Sequence, residues 1–88
     1  GSAWCVLEYA RQDRTCGYAG IFKLKNDVTD NEYLFKPRGI DISQSYRVTL
    51  DNDGQSLIIS GWELSQTGIT IHLDEAKTSE LILYEVKK

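Results

Sequence analysis

The side chains of this 88-residue chain that chemistry would draw on are one histidine, two cysteines, thirteen acidic residues and nine aromatic ones. His72 stands alone, so a multi-histidine metal site is out of reach, and Cys5 and Cys16 occupy strand positions unrelated to it. No zinc ligand set is legible in that arrangement, and no cofactor is expected. Nor does a Gly-x-Ser-x-Gly elbow exist to present a nucleophile to His72, which excludes one common route to hydrolysis. The histidine reads as a surface residue on the polar face of its strand.

Cys5 and Cys16 invite a disulfide, but register argues for two free thiols. If the first two strands form a hairpin through Gln12 to Thr15, with Ala10 opposite Gly17, Cys5 lies across from Phe22 and Cys16 is left in the turn. That separation exceeds the reach of a disulfide. Glycoside hydrolysis asks for two carboxylates about 5 to 10 Å apart across a cleft. The acids here give no such pair by spacing, and Asp27, Asp30, Asp51 and Asp53 fall in loops or at strand ends, where solvation and turn chemistry account for them. Flat aromatic faces stack on sugar rings, and they also fill sandwich cores. Trp4 faces away from Cys5, Leu7 and Tyr9 by alternation, Trp62 sits in an irregular glycine-bounded segment, and Tyr18 is a further outward candidate; these three are the carbohydrate contacts the sequence offers.

The elements that must hold these residues are strands. Short runs rich in Ile, Leu, Val, Tyr and Phe alternate with Gly, Asn and Asp clusters, the pattern of strands joined by turns. Seven are expected, near Trp4 to Tyr9, Tyr18 to Lys25, Tyr33 to Lys36, Tyr46 to Asp51, Ser56 to Ser60, Ile69 to Leu73 and Leu81 to Val86. Tyr46, Val48 and Leu50 share one face and Arg47, Thr49 and Asp51 the other, so one face of that strand is wet. Ile69, Ile71 and Leu73 split from Thr70 and His72 in the same way. Leu81, Ile82, Leu83 and Tyr84 are apolar in succession, which predicts a central strand covered on both faces. Asn52, Asp53 and Gly54 tolerate positive φ and predict a hairpin between strands four and five. Gly61 to Gln66 is the one helix-like stretch, a single turn at most, and polar loops are expected at Asn26 to Asn31 and Asp74 to Ser79. The fold class is all-β, a small antiparallel sandwich of seven to eight strands with no substantial helix.

Ten basic against thirteen acidic residues give a net charge of −3, with the signs scattered along the chain. A nucleic-acid or anionic-membrane surface needs a basic face, so neither partner is expected. No apolar run approaches the roughly 18 residues that cross a bilayer. Gly1 and Ser2 read as an expression scar, and residues 3–88 as one monomeric domain of a longer protein, with 41 % hydrophobic content to build a core.

The stretch from Ser60 through Gly61, Trp62, Glu63, Leu64 and Ser65 to Gly68 and Ile69, preceded by Gly39-Ile40 and by Tyr46-Arg47-Val48, resembles the C-terminal domain of melibiase-type α-galactosidases of glycoside hydrolase family 36. That family reads Gly-Leu/Ile, Tyr-x-Val, a hairpin, Ser/Thr-Gly-x-Glu-Leu-x-x-x-Gly-Leu/Ile and an apolar final strand, which Leu81 to Tyr84 supplies. Trp4, Tyr9, Arg11 and Gly17 to Phe22 are similar to its first hairpin. Arg11-Gln12 and Lys23-Leu24-Lys25 depart from the Arg-Pro and Arg-rich endings common there. The resemblance implies a non-catalytic companion to a (β/α)-barrel of the same polypeptide that carries the catalytic carboxylates, with Tyr46, Val48, Gly61, Glu63, Leu64 and Gly68 as structural signature. Leu64 is expected to plug the end of the sandwich and Glu63 to satisfy nearby backbone amides. A sugar-binding module using Trp62, Trp4 or Tyr18, and an immunoglobulin-like spacer, are the other readings; weak carbohydrate binding would mark the first of these.

Overall fold

The computed structural model describes residues 3–24, 31–74 and 77–88. Gly1, Ser2, Asp27 and Asp30 lie outside the described residues, as does much of the two loops expected at Asn26 to Asn31 and Asp74 to Ser79. All seven expected strands are present: β1 (Trp4–Ala10), β2 (Cys16–Lys23), β3 (Glu32–Phe35), β4 (Ser45–Leu50), β5 (Gln55–Ser60), β6 (Ile69–His72) and β7 (Ser79–Val86), with one helix, α1 (Gly61–Gln66). They form a five-stranded antiparallel sheet in the order β1-β2-β7-β4-β5 and a two-stranded sheet, β3-β6.

Alternation decides which residues meet. Ala19 and Ile21 from β2, Tyr46 and Val48 from β4, and Ile82 and Tyr84 from β7 point inward from the large sheet. Phe35 from β3 and Ile71 from β6, with Leu73, close on them from the small one. The odd-numbered neighbours of the buried β7 residues do not follow them in. Leu81 and Leu83 are 39 % and 43 % exposed. The strand is central, as its apolar run predicts, yet only one of its faces is covered within this chain. The expected cover on both faces is thus not found: the outer side chains of β7 are open to solvent.

The turns are fixed by short polar side chains. Between β1 and β2 the Asp13 carboxylate accepts from both the Thr15 amide (3.0 Å) and the Thr15 hydroxyl (2.7 Å), while Arg14 takes a φ of 61°. In the β4–β5 hairpin Gly54 takes a φ of 69°, as the Asn-Asp-Gly sequence predicts, and Leu50 stands opposite Gln55. The hairpin is tied down from β7: the buried Glu80 carboxylate accepts from the Asn52 amide at 2.9 Å, and Asn52 Nδ2 donates to the Ser79 carbonyl. The first hairpin has the expected register, Ala10 opposite Gly17 and Cys5 opposite Phe22. Cys16 differs from expectation: it opens β2 and pairs with Glu85 of β7, so it is a strand residue and not a turn residue. Both cysteines are free thiols.

Helix α1 runs six residues, nearly two turns where at most one was expected. The extension follows from capping, because Ser60 Oγ accepts from the Glu63 amide at 3.0 Å and satisfies a donor that the first turn leaves open.

Candidate docking surface

The residues of the Ser60 to Gly68 stretch differ in their surroundings. A side chain on Gly61 would fall on the Asp41 carbonyl oxygen, and the Gly61 amide donates to the Gln44 carbonyl at 2.7 Å. Gly68 holds a φ of 74°, and a Cβ there would meet the Phe35 carbonyl oxygen at 2.6 Å, which excludes larger residues twice over. Leu64 is buried in the core cluster, as a plug at that position would have to be. Glu63 departs from expectation: its side chain is exposed, and the capped amide is its own, held by Ser60. Tyr46 and Val48 are buried on β4, and Tyr46 has a role the pattern alone conceals. Its hydroxyl donates to the Arg14 carbonyl (2.7 Å) and accepts from the Asp41 amide (2.8 Å), joining the first turn to the segment that receives α1.

The three aromatic candidates are not brought together. Trp4 lies on the inner side of β1, half-buried against the core with its ring 5.5 Å from that of Tyr33, and is therefore not the outward residue expected. Alternation correctly separates it from Leu7 and Tyr9; what the sequence conceals is which side of β1 meets the second sheet. Tyr18 is on the opposite side of the same sheet, its ring stacked on Tyr9 at 5.3 Å. Trp62 is exposed on α1. No single platform contains all three. His72 is on the surface as expected, 3.9 Å from the Glu32 carboxylate.

Glu8, which the sequence does not single out, faces inward from β1 and ties three segments together. Its carboxylate accepts from the Arg38 amide (2.9 Å), the Gly39 amide (3.2 Å) and the Tyr84 hydroxyl (2.8 Å). Burial first, and this carboxylate second, push the Tyr84 phenol well above the ordinary tyrosine range. Glu8 lies in a half-open cleft of about 560 Å³ edged by Arg11, Arg14, Lys36 and Arg38. It is the one carboxylate among the described residues that line this cleft, so the two-carboxylate geometry of glycoside hydrolysis is not assembled there. Arg11 is paired with Asp13 at 3.2 Å on the rim. Hydrogen bonds from the Thr15 side chain and amide, and then from Arg11, hold the Asp13 carboxyl down at about 2.

The outer side of the five-stranded sheet has a different character. Strand register aligns Leu7, Gly20 and Leu81 in one row and Tyr9, Tyr18 and Leu83 in the next, with Cys5 opposite Phe22 beside them. Leu7, Tyr9, Tyr18, Phe22, Leu81 and Leu83 are all exposed, and together they make one contiguous apolar surface across β1, β2 and β7. No acid or lysine interrupts these rows. Charge appears at the margin, where Arg47 stands opposite Glu85. At that end a shallow depression of about 370 Å³ is walled by Cys16, Tyr18 and Leu83 and rimmed by Arg47 and Glu85.

The same arrangement of strands occurs in known proteins. The chain is similar over 99 % of its length to part of the galactosidase domain of the α-galactosidase-sucrose kinase AgaSK (TM-score 0.74, 12 % identity). It is similar over 98 % of its length to part of the α-galactosidase AgaA of Geobacillus stearothermophilus, solved with raffinose (TM-score 0.76, 15 % identity), and to part of the α-galactosidase of Lactobacillus brevis (TM-score 0.73, 15 % identity). It spans only 11 to 12 % of the length of those chains. Among curated proteins no sequence matches. At these identities the structural likeness speaks for the fold alone, but the sequence profile of the glycosyl hydrolase family 36 C-terminal domain matches residues 4–83, nearly the whole chain. On that match this chain belongs to the glycosyl hydrolase family 36 C-terminal domain family.

Proposed function

We propose that this chain is a non-catalytic accessory domain of an α-galactosidase-type glycoside hydrolase, and that it packs against and stabilises the catalytic barrel of the same polypeptide. Residues 3–88 form the domain, and the signature residues Tyr46, Val48, Gly61, Leu64 and Gly68 serve its fold, whereas Glu63 keeps only its backbone role in the helix cap. The observation that carries the reading is the family match over residues 4–83 in a unit whose cleft carboxylate, Glu8, is already engaged by two backbone amides and a tyrosine. A base or nucleophile must reach its substrate; this one is spent on holding β1 to the 38–39 segment and to β7. The structural neighbours, each about eight or nine times longer than the matched segment, support a parent of the α-galactosidase type.

The test has two arms. The purified chain is expected to release no product from a chromogenic α-galactoside, and titration with galactose, melibiose or a galactomannan is expected to leave its tryptophan fluorescence unchanged at millimolar sugar. Turnover by the isolated chain would overturn the non-catalytic reading. Saturable changes centred on Trp62 would establish a carbohydrate-binding module in its place.

A further inference from the structure

We infer that the outer face of the five-stranded sheet is the surface on which this domain meets the catalytic domain of its own polypeptide, with the depression between Tyr18 and Leu83 receiving an apolar anchor side chain from it. The inference rests on the accessory reading above and adds to it a face, an anchor point and an orientation.

Several observations converge on that face. Leu7, Tyr9, Tyr18, Phe22, Leu81 and Leu83 are between 39 % and 59 % exposed, which corresponds to side-chain surface on the order of 600 Å² at the usual size of such residues. That reaches the upper end of the largest apolar patch on ordinary monomers and approaches the roughly 800 Å² per partner of a stable interface. The distribution also matches interface anatomy, with an aromatic and aliphatic centre and Arg47 and Glu85 at the margin. The depression of about 370 Å³ sits at the junction of the two, walled by Cys16, Tyr18 and Leu83, where a partner side chain would gain more contact than on the flat sheet around it. Finally, β7 alternates buried Ile82 and Tyr84 with exposed Leu81 and Leu83 at the centre of the sheet. A central strand apolar on both sides is built for cover on both sides, and the small sheet β3-β6 supplies only one.

The occupant follows from the size of the chains in which this fold is found. The matched segment is 11 to 12 % of those chains, so the remainder of the polypeptide is covalently attached. A short tether gives an effective concentration in the millimolar range. A free protein or a second copy would have to compete against that, and an apolar surface of this kind offers no charge pattern to favour either.

The experiment compares the full-length parent with the 88-residue chain. Leu83→Lys and, on the edge strand, Leu7→Lys are made in both, with Ile42→Lys as an exposed control outside the strands. The outer-face variants should leave the melting temperature of the isolated chain unchanged and shorten the heat-inactivation half-life of the parent at least tenfold, while Ile42→Lys changes neither. If the outer-face variants leave the parent's half-life intact although deletion of the whole domain shortens it, the face is wrong and the accessory reading stands. If deletion itself has no effect, the accessory reading is wrong. Dimerisation of the isolated chain that Leu83→Lys abolishes, without any effect in the parent, would assign the face to a second copy and overturn the inference.

Discussion

At the residue scale, the fold is pinned by a few polar side chains that each serve two segments. Tyr46 is the clearest, with its hydroxyl bridging the Arg14 carbonyl and the Asp41 amide from a ring that is wholly buried. Replacing it with phenylalanine keeps the packing and removes both bonds. A loss of about 1 to 3 kcal/mol is expected in urea denaturation, against no loss if the hydroxyl is incidental. Asp13 gives a pH signature. Its carboxyl is held at about 2 in the folded chain, below the roughly 3.9 of an unfolded aspartate. The sign follows: its contribution to stability is complete above the unfolded value and is lost as pH falls through about 2. Asp13→Ala should therefore lower the urea midpoint at neutral pH, and the gap to wild type should shrink in strong acid. A gap independent of pH would assign the effect to the turn's backbone and not to the ionised carboxylate.

At the element scale, the glycine-bounded helix is the part of the fold whose contribution can be read most directly. Leu64→Ala truncates a buried side chain and should destabilise by roughly 2 to 4 kcal/mol; a thermal melt matching wild type would show that α1 does not close the core. Most of this architecture was legible in the chain. Short apolar and aromatic runs between turn residues locate all seven strands, period-two alternation assigns the faces of β4 and β6, and Asn-Asp-Gly marks the β4–β5 hairpin because such residues accept its φ. Other features were not. Which side of β1 faces inward is invisible to alternation, so Trp4 looked outward when it packs on Tyr33. Glu8 and Glu80 were missed because an acid in a strand ordinarily marks the wet face, and the partners that admit these two to the interior come from residues 30 and 28 positions away. The length of α1 was missed because Ser60 as a cap is one serine among several until its partner amide is located.

At the scale of the whole molecule, the domain is complete on one side and open on the other. Its inner sheet faces enclose a closed core with Tyr46, Ile21, Leu64 and Ile82 at its centre, while the outer face presents Leu7, Tyr9, Tyr18 and Leu83 to solvent. The apolar succession at Leu81 to Tyr84 carried this information in the sequence, as a strand with two apolar sides. Only the second layer was missing from it. A domain of this kind is expected to owe part of its stability to its neighbour, and to return the same amount by thermodynamic reciprocity. Differential scanning calorimetry of the full-length parent beside the isolated 88-residue chain measures that exchange directly. Docking predicts that the domain melts together with the catalytic barrel in one transition, above the melting temperature of the isolated chain. A separate transition in the parent, at the same temperature as the isolated chain, would contradict it.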